Sequence, residues 1–513
     1  MPFISEGGRI VKAKCRLLAL ILAMLLLANC GTALAADDGY ASTYTYNYDY
    51  WSDIRESPDV YRVNDVIYST DLGLDVAMRK PQSLFVQGND LYVADTGNNR
   101  ILQIHWEGST FSLVRIIDTI QGCDVTTFNG PNDVFVDAQQ NIYVADTNNG
   151  RVVMVDKDLN FIKQFTKPAD ATFDQSMSFM PSKIVVDVSG RVFVLAQNVN
   201  KGLAKFEADT SFTGFIGANK VSYNLAEYIW KNYFMTKAQR EQQASFVPTE
   251  YCNIYIDEDS FIYATNVVFS EYDLKWDAAQ PIRRLNGIGN DILIKNDVYP
   301  PIGDLYWVEQ NNHYGPSKFY DITVLENDIY VAVDKTRGRI FGYDSQGIML
   351  WAFGTTGSSD GAFTSAISIE HMGRDLFVLD EVECSITMFT PTEYGNMIYN
   401  ATDAYLKGNY DGSAELWQNV LKYNANYNLA FIGIGRSLMR QEEYREAMDY
   451  FKMAMDRDNY GRAFRFYRKV WVEENIAWLV VVIAAVLIIP VVRSTVRRMR
   501  MEVEVHERNQ VQK

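Results

Sequence analysis

Histidine, cysteine, proline and positive charge are all scarce in this chain. It has only four histidines among 513 residues, and His105, His313 and His371 sit at unlike places in the pattern described below, which speaks against a convergent histidine metal site. Of five cysteines, Cys123, Cys252 and Cys384 are widely spaced and odd in number, and no CxxC pair exists. That excludes a disulfide framework and a zinc ribbon. Thirteen prolines rule out collagen-like and Pro-rich disordered chains. With 48 Lys and Arg against 64 Asp and Glu the net charge is −16, so the basic face that nucleic acid requires is missing. No Walker loop or nucleophile elbow is present. Tyr (32), Phe (27) and Gly (32) are plentiful, which points to aromatic-rich strands joined by tight turns. At roughly 100–200 residues per domain, the length implies about two to four units.

Both ends carry membrane signals. Arg9, Lys12, Lys14 and Arg16 precede the apolar run 17–28, and Ala33-Leu34-Ala35 follows it. This is the pattern of a secretory signal over 1–35, cleaved before Ala36. A rival reading is a lipid-anchored N-terminus, since Leu27-Ala28-Asn29-Cys30 resembles a lipobox with Asn29 in place of a small residue. A Tyr-rich acidic lead-in, expected to be flexible, occupies 36–59; its rings could also stack on sugars or adhere to wall polymer. Residues 476–492 are uncharged and apolar, preceded by Glu473 and Glu474 and followed by Arg493, Arg497, Arg498 and Arg500. The arginines place the 493–513 tail in the cytoplasm and everything before the span outside the cell membrane, in a single-pass topology.

The middle is repetitive. LYVADTGNNR at 91–100 returns as IYVADTNNGR at 142–151, and weaker copies follow at 192–196, 261–265, 329–333 and 376–380. A short strand precedes each, at 83–86, 133–136, 183–186, 253–256, 321–324 and 366–369, and further strands follow. Six units of about four strands predict a mainly β, six-bladed propeller over 60–392, with 60–67 closing the last blade. A helix is expected at 224–245, inside an insertion. From 396 the period becomes helical. Tyr410, Ser413, Trp417 and Val420 are followed 34 residues later by Tyr444, Ala447, Phe451 and Ala454. A helix at 462–472 then leads toward the span.

These residues resemble known families. Pro81 with LYVADTGNNRI, and Pro131 with IYVADTNNGRV, are similar to NHL repeats, a resemblance that implies a six-bladed propeller without fixing a function. The 34-residue register over 396–472 resembles tetratricopeptide repeats, with Ala425 and Asn459 where that family has proline. Together with the anchor, the whole resembles bacterial extracytoplasmic propeller proteins that accompany sugar-transport systems. That resemblance implies a protein partner or a carbohydrate.

The repeated Asp95–Arg100 and Asp146–Arg151 segments offer oxygen ligands suited to calcium, but tight turns and Asp–Arg pairing between strands explain them more simply. Residues where the innermost strands begin should ring one channel mouth. Asn132, Asp133, Lys183, Asn253, Tyr320 and Asp321 are therefore the candidate ligand- or partner-binding residues, with no catalytic residue assigned. They stand beside Gln82 and Ser365. The mixed polar set suits a neutral polar ligand or a protein surface. The expected function is a membrane-tethered binding scaffold that needs no cofactor. The alternative is a gluconolactonase-like lactone hydrolase, a family whose divalent metal is held by Glu, Asn and Asp; Asp133, Asn253 and Asp321 would be the positions here.

Overall fold

The computed structural model describes residues 42–49, 51, 53–218, 251–269, 273–274, 280–295, 301–304 and 315–511. The expected signal sequence and the helix expected at 224–245 lie outside the described residues. Three strands come first: β1 (Tyr46–Tyr48), β2 (Ile54–Glu56) and β3 (Tyr61–Ile67). Blade 1 is β4 (Ser83–Gln87), β5 (Asp90–Asp95), β6 (Arg100–Trp106) and β7 (Phe111–Ile117). Blade 2 is β8 (Pro131–Val136), β9 (Ile142–Asp146), β10 (Arg151–Val155) and β11 (Phe161–Thr166). Blade 3 is β12 (Pro181–Val186), β13 (Val192–Ala196), β14 (Leu203–Phe206) and β15 (Phe212–Ile216). Blade 4 has three strands among the described residues, β16 (Asn253–Ile256), β17 (Ile262–Thr265) and β18 (Ile282–Leu285). Blade 5 is β19 (Phe319–Leu325), β20 (Ile329–Asp334), β21 (Arg339–Tyr343) and β22 (Met349–Phe353). Blade 6 contributes β23 (Ala366–Met372), β24 (Asp375–Asp380) and β25 (Ser385–Pro391).

The first strand of each blade is innermost; each touches the next around the ring, and β23 meets β4. The second strands β9, β13 and β20 are buried along their whole length, because a neighbouring blade covers each of their faces. This is why they read as continuous apolar runs rather than as alternating ones. The ring closes as the lone segment 60–67 predicts: β3 pairs antiparallel with β25, Ile67 opposite Ile386 and Tyr61 opposite Pro391.

The lead-in departs from expectation. Over 46–56 it is a folded hairpin, β1 with β2, and Tyr46 pairs with Ala352 on the outer edge of blade 5. The hydroxyls of Tyr46 and Tyr48 both donate to the buried Asp304, Tyr48 at 2.9 Å. Arg337 approaches the other oxygen of that carboxylate at 3.5 Å.

Five helices follow. They are α1 (Glu393–Leu406), α2 (Tyr410–Tyr423), α3 (Asn428–Arg440), α4 (Tyr444–Met453) and α5 (Arg457–Val511). Thr392 and Asn409 cap α1 and α2 by accepting from Gly395 and Gly412, each at 3.1 Å. Ser413, Trp417 and Val420 are buried, and so are their counterparts Ala447, Phe451 and Ala454. Gly433 lies against Trp417 and Gly435 against Phe451, too near in either case for a β-carbon. The helices share a core with the propeller: Tyr61, Trp351, Phe353 and Phe389 cluster with Ile398, Tyr399, Trp417 and Tyr427. Burying side chains of this size stabilises the junction by roughly 1.5–3 kcal/mol each. Hydrogen bonds across it include one from the Tyr427 hydroxyl to the Leu350 carbonyl at 2.6 Å and one between the Tyr61 and Tyr399 hydroxyls at 2.6 Å. The helix expected at 462–472 and the apolar stretch 476–492 are parts of the single helix α5, with Pro490 inside it. Its most apolar window has mean hydropathy 2.8 and is wholly unburied; by length and composition α5 could cross a membrane.

Candidate functional site

The six innermost strands carry one polar residue each at equivalent places: Ser83, Asp133, Lys183, Asn253, Asp321 and Ser368. Local backbone geometry sets this ring. In four blades the pairing of the first two strands slips just before the ring residue, between Pro131 and Asp133, Pro181 and Lys183, Phe319 and Asp321, and Ala366 and Ser368. Such a bulge re-aims the side chain that follows it. The structure thus brings Asp133, Lys183, Asn253 and Asp321 into one belt. Asn132 and Tyr320 are the extra residues of the bulges, each half-buried and adjacent to the belt. Gln82 and Ser365 fall outside the ring, where Ser83 and Ser368 stand.

The belt links blades to one another. One oxygen of Asp321 accepts from Asn253 of blade 4 and from its own neighbour Ile322 N at 2.7 Å. The other accepts from Ser368 Oγ at 2.7 Å and Ile369 N at 2.8 Å, both in blade 6. Leu84 N of blade 1 donates onward to Ser368 Oγ at 3.1 Å. Asp133 accepts from Ser83 Oγ of blade 1 and from Ile184 N of blade 3 at 2.7 Å. Burial pushes both carboxyls up, Asp321 from its ordinary 3.8 to about 6, while the Lys183 ammonium and these donors pull them back. Lys183 Nζ lies 3.8 Å from Asp133 and donates at 3.2 Å to the Gln82 carbonyl, reaching past blade 2. From there the polar chain continues across the mouth. Gln82 donates to Glu381 at 2.9 Å, Lys335 donates to the other oxygen of Glu381 at 3.0 Å, and the Lys335 ammonium sits 4.5 Å above the Tyr320 ring. Lys335 and Glu381 were not among the expected residues. Their signal was positional, since each directly follows the aspartate ending a second strand, as Thr96 and Thr147 do.

Beyond the belt a cavity of about 660 Å³ extends toward the turns between first and second strands. Phe85, Phe135, Tyr255, Val136 and Ile256 are among its walls, and Asp137, Asp187, Asp257 and Glu258 stand at its rim. Halfway along are Glu370 and His371, which no sequence pattern singled out as a pair. Thr323 Oγ1 lies 2.7 Å from His371 Nδ1 and donates to Glu370 at 3.4 Å. Burial lifts the Glu370 carboxyl well above its usual range and lowers His371 to about 4, so in both groups it disfavours the charged form. This interior can offer hydrogen-bonding groups against an apolar wall.

A divalent metal held by Asp133, Asn253 and Asp321 fits poorly. Asp321 directs both oxygens at protein donors, the Asn253 amide nitrogen is turned to Asp321, and the Asn253 oxygen accepts from Ile254 N at 2.8 Å. Among the described residues no cluster of three or more His, Cys, Asp or Glu is arranged to hold a metal ion. The repeated loop motif is likewise engaged. Asp95 pairs with Arg100 at 2.7 Å and accepts from Arg79 N at 2.8 Å; Asp146 pairs with Arg151 at 2.9 Å and accepts from Asn129 N at 2.8 Å. Thr96 and Thr147 each donate to a carbonyl of the next blade, Pro131 and Pro181, at 2.6 Å.

Residues 128–153 match the profile of the NHL repeat. No curated protein matches the chain as a whole. Solved structures similar to it include virginiamycin B lyase from Staphylococcus aureus, at 13% identity and TM-score 0.38, covering 68% of this chain and 88% of the lyase. A protein of unknown function from Bacteroides thetaiotaomicron is similar at 12% identity and TM-score 0.40, covering 64% of this chain and 72% of that one. A gluconolactonase-like protein is similar at 9% identity and TM-score 0.37, covering 61% and 89%.

Proposed function

We propose that the chain is a membrane-tethered binding scaffold, with propeller and helices outside the cell membrane and the tail in the cytoplasm. The observation that carries this reading is the use of the channel carboxylates: Asp133 and Asp321 serve to hold blades together and leave the mouth rigid. The helical segment is read as a pair of tetratricopeptide-like repeats fused to that rigid body, suited to holding an extended partner. The ligand-contacting surface is assigned to the mouth, where Asn132, Lys183 and Tyr320 face the partner while Asp133, Asn253 and Asp321 position the strands. The partner is a protein or a carbohydrate presented at the membrane, as for an accessory of a sugar transporter.

Crosslinking in intact cells from a photoreactive residue at position 132 or 320, followed by identification of the captured species, tests this. Capture of one dominant partner, lost in Lys183→Ala with the melting temperature preserved, supports the reading. A metal-dependent rise in melting temperature together with turnover of a lactone would instead establish the hydrolase alternative.

A further inference from the structure

The channel has a second layer of side chains, two residues beyond the belt on each innermost strand. Strand alternation turns these positions to the same face as the belt residues. They are Phe85, Phe135, Val185, Tyr255, Thr323 and Glu370, and only the last is a carboxyl. Phe85, Phe135 and Tyr255 are half-buried and line the cavity of about 660 Å³, with the rings of Phe85 and Phe135 4.8 Å apart. Glu370 lines it too and is only 7% exposed. Tyr255 stands close to it: burial and then Glu370 push the Tyr255 hydroxyl up. The Glu370 carboxyl accepts from the Thr323 hydroxyl at 3.4 Å and from the His371 backbone, and no Lys or Arg among the described residues pairs with it. Burial, with Asp321 and Asp133 nearby, raises it well above the usual carboxylate range, as befits a carboxyl without a counter-ion. No Lys or Arg lines the cavity. Lys183, on the belt, is taken by Asp133 and the Gln82 carbonyl. The rim carboxylates are engaged as well: Asp187 with Arg191 at 2.6 Å, Asp257 with Arg284 at 3.0 Å, and Asp137 with the backbone amides of Gln139 and Asn141 at 2.9 and 2.8 Å.

These features select by charge and by polarity. The carboxyls repel an anion. A sugar needs polar partners around its ring, and Phe85, Phe135 and Val185 have none to give. A cation with apolar substituents suits both walls: the ring faces attract it, and it supplies the counter-charge that favours the ionised form of Glu370. We propose that the channel cavity binds a small organic cation of the alkylated-ammonium class, its charge held between Glu370 and the rings of Phe85, Phe135 and Tyr255. The inference goes beyond the scaffold reading and does not rest on it, since the belt separates this layer from the mouth.

The test is isothermal titration calorimetry on the full chain in a non-ionic detergent, with choline and with the uncharged dimethylbutanol in which carbon replaces its nitrogen. Choline should bind and the neutral alcohol should not. Glu370→Gln keeps the shape of the side chain and removes its charge, and should weaken choline binding by at least roughly 10-fold. Phe135→Leu keeps an apolar wall without the ring face, and should weaken it by roughly 3–10-fold. No binding of choline, equal binding of the alcohol, or unchanged affinity in Glu370→Gln would overturn the proposal. Should that variant fail to fold, unchanged affinity in Phe135→Leu would overturn it instead. In-cell capture from the mouth reads the other side of the belt, so it can succeed while choline fails to bind, and the scaffold reading would then stand without the cation site.

Discussion

Replacing Asp321 by alanine should destabilise the propeller in a pH-dependent way. The carboxylate receives four donors, of which the amides of Ile322 and Ile369 are fixed in strands and cannot turn elsewhere. Stranding two buried amides costs about 2–6 kcal/mol. Against this, the folded protein holds Asp321 at about 6 rather than 3.8, because burial penalises the charge. A shift of about two units means that ionising this buried group withdraws roughly 3 kcal/mol of stability. The sign follows from the raised value: the contribution is fully present below about pH 4 and is lost as pH rises through about 6. Alanine has no such proton, so the gap between the two proteins should be roughly 4 kcal/mol at pH 4 and roughly 1 kcal/mol at pH 7. Other titrating groups are common to both proteins and cancel. Denaturation of the full chain in detergent, followed by tryptophan fluorescence at both pH values, measures it. A gap that does not change with pH, or that is wider at pH 7, would refute the reasoning. So would an Ile369 amide that stays protected from hydrogen exchange in the variant.

Trp417→Ala should cost about 3–5 kcal/mol in melts of the same preparation, because the side chain fills the space left by Gly433. Tyr427→Phe removes the 2.6 Å bond to Leu350 and should cost about 1 kcal/mol while raising proteolysis of the junction between propeller and helices. For the topology, a cysteine placed at Gln512 in a chain whose native cysteines are replaced should react with a membrane-impermeant maleimide only after cells are permeabilised; labelling of intact cells would place the tail outside.

The blade pattern was legible because each second strand is covered on both faces, so that IYVAD-type runs stay apolar from end to end. The closing strand 60–67 was legible for a different reason, as a strand-like segment with no partner near it in sequence. The hairpin at 46–56 was not. Its tyrosines are satisfied by Asp304, more than 250 residues away, and nothing local distinguishes such a segment from a polar lead-in. At the channel, the start of each innermost strand was found to within two residues. The register escaped in blade 6, where Ser365 was expected and Ser368 stands, because a bulge is a property of pairing and not of composition; in blade 1, where the pairing does not slip, Gln82 was expected and Ser83 stands. Glu370 and His371 were hidden differently. They lie within an innermost strand, where the cavity wall is apolar in the other blades, and only the closed ring brings Thr323 against them.

The unbroken course of α5 also governs how the molecule can move. Tyr444 and Phe466 stack at 5.4 Å, and Ala463 is buried beside Ala447 and Phe451, so the helix leaves the folded body already clamped. From Arg457 to Glu474 it rises about 27 Å without a flexible joint. With 476–492 in a bilayer, the helix becomes a stalk rather than a leash. The propeller would ride at a set height and heading instead of swinging through a hemisphere. Encounters would then depend on lateral drift and on rotation about the stalk, and a partner in the same membrane would meet the same side of the molecule each time.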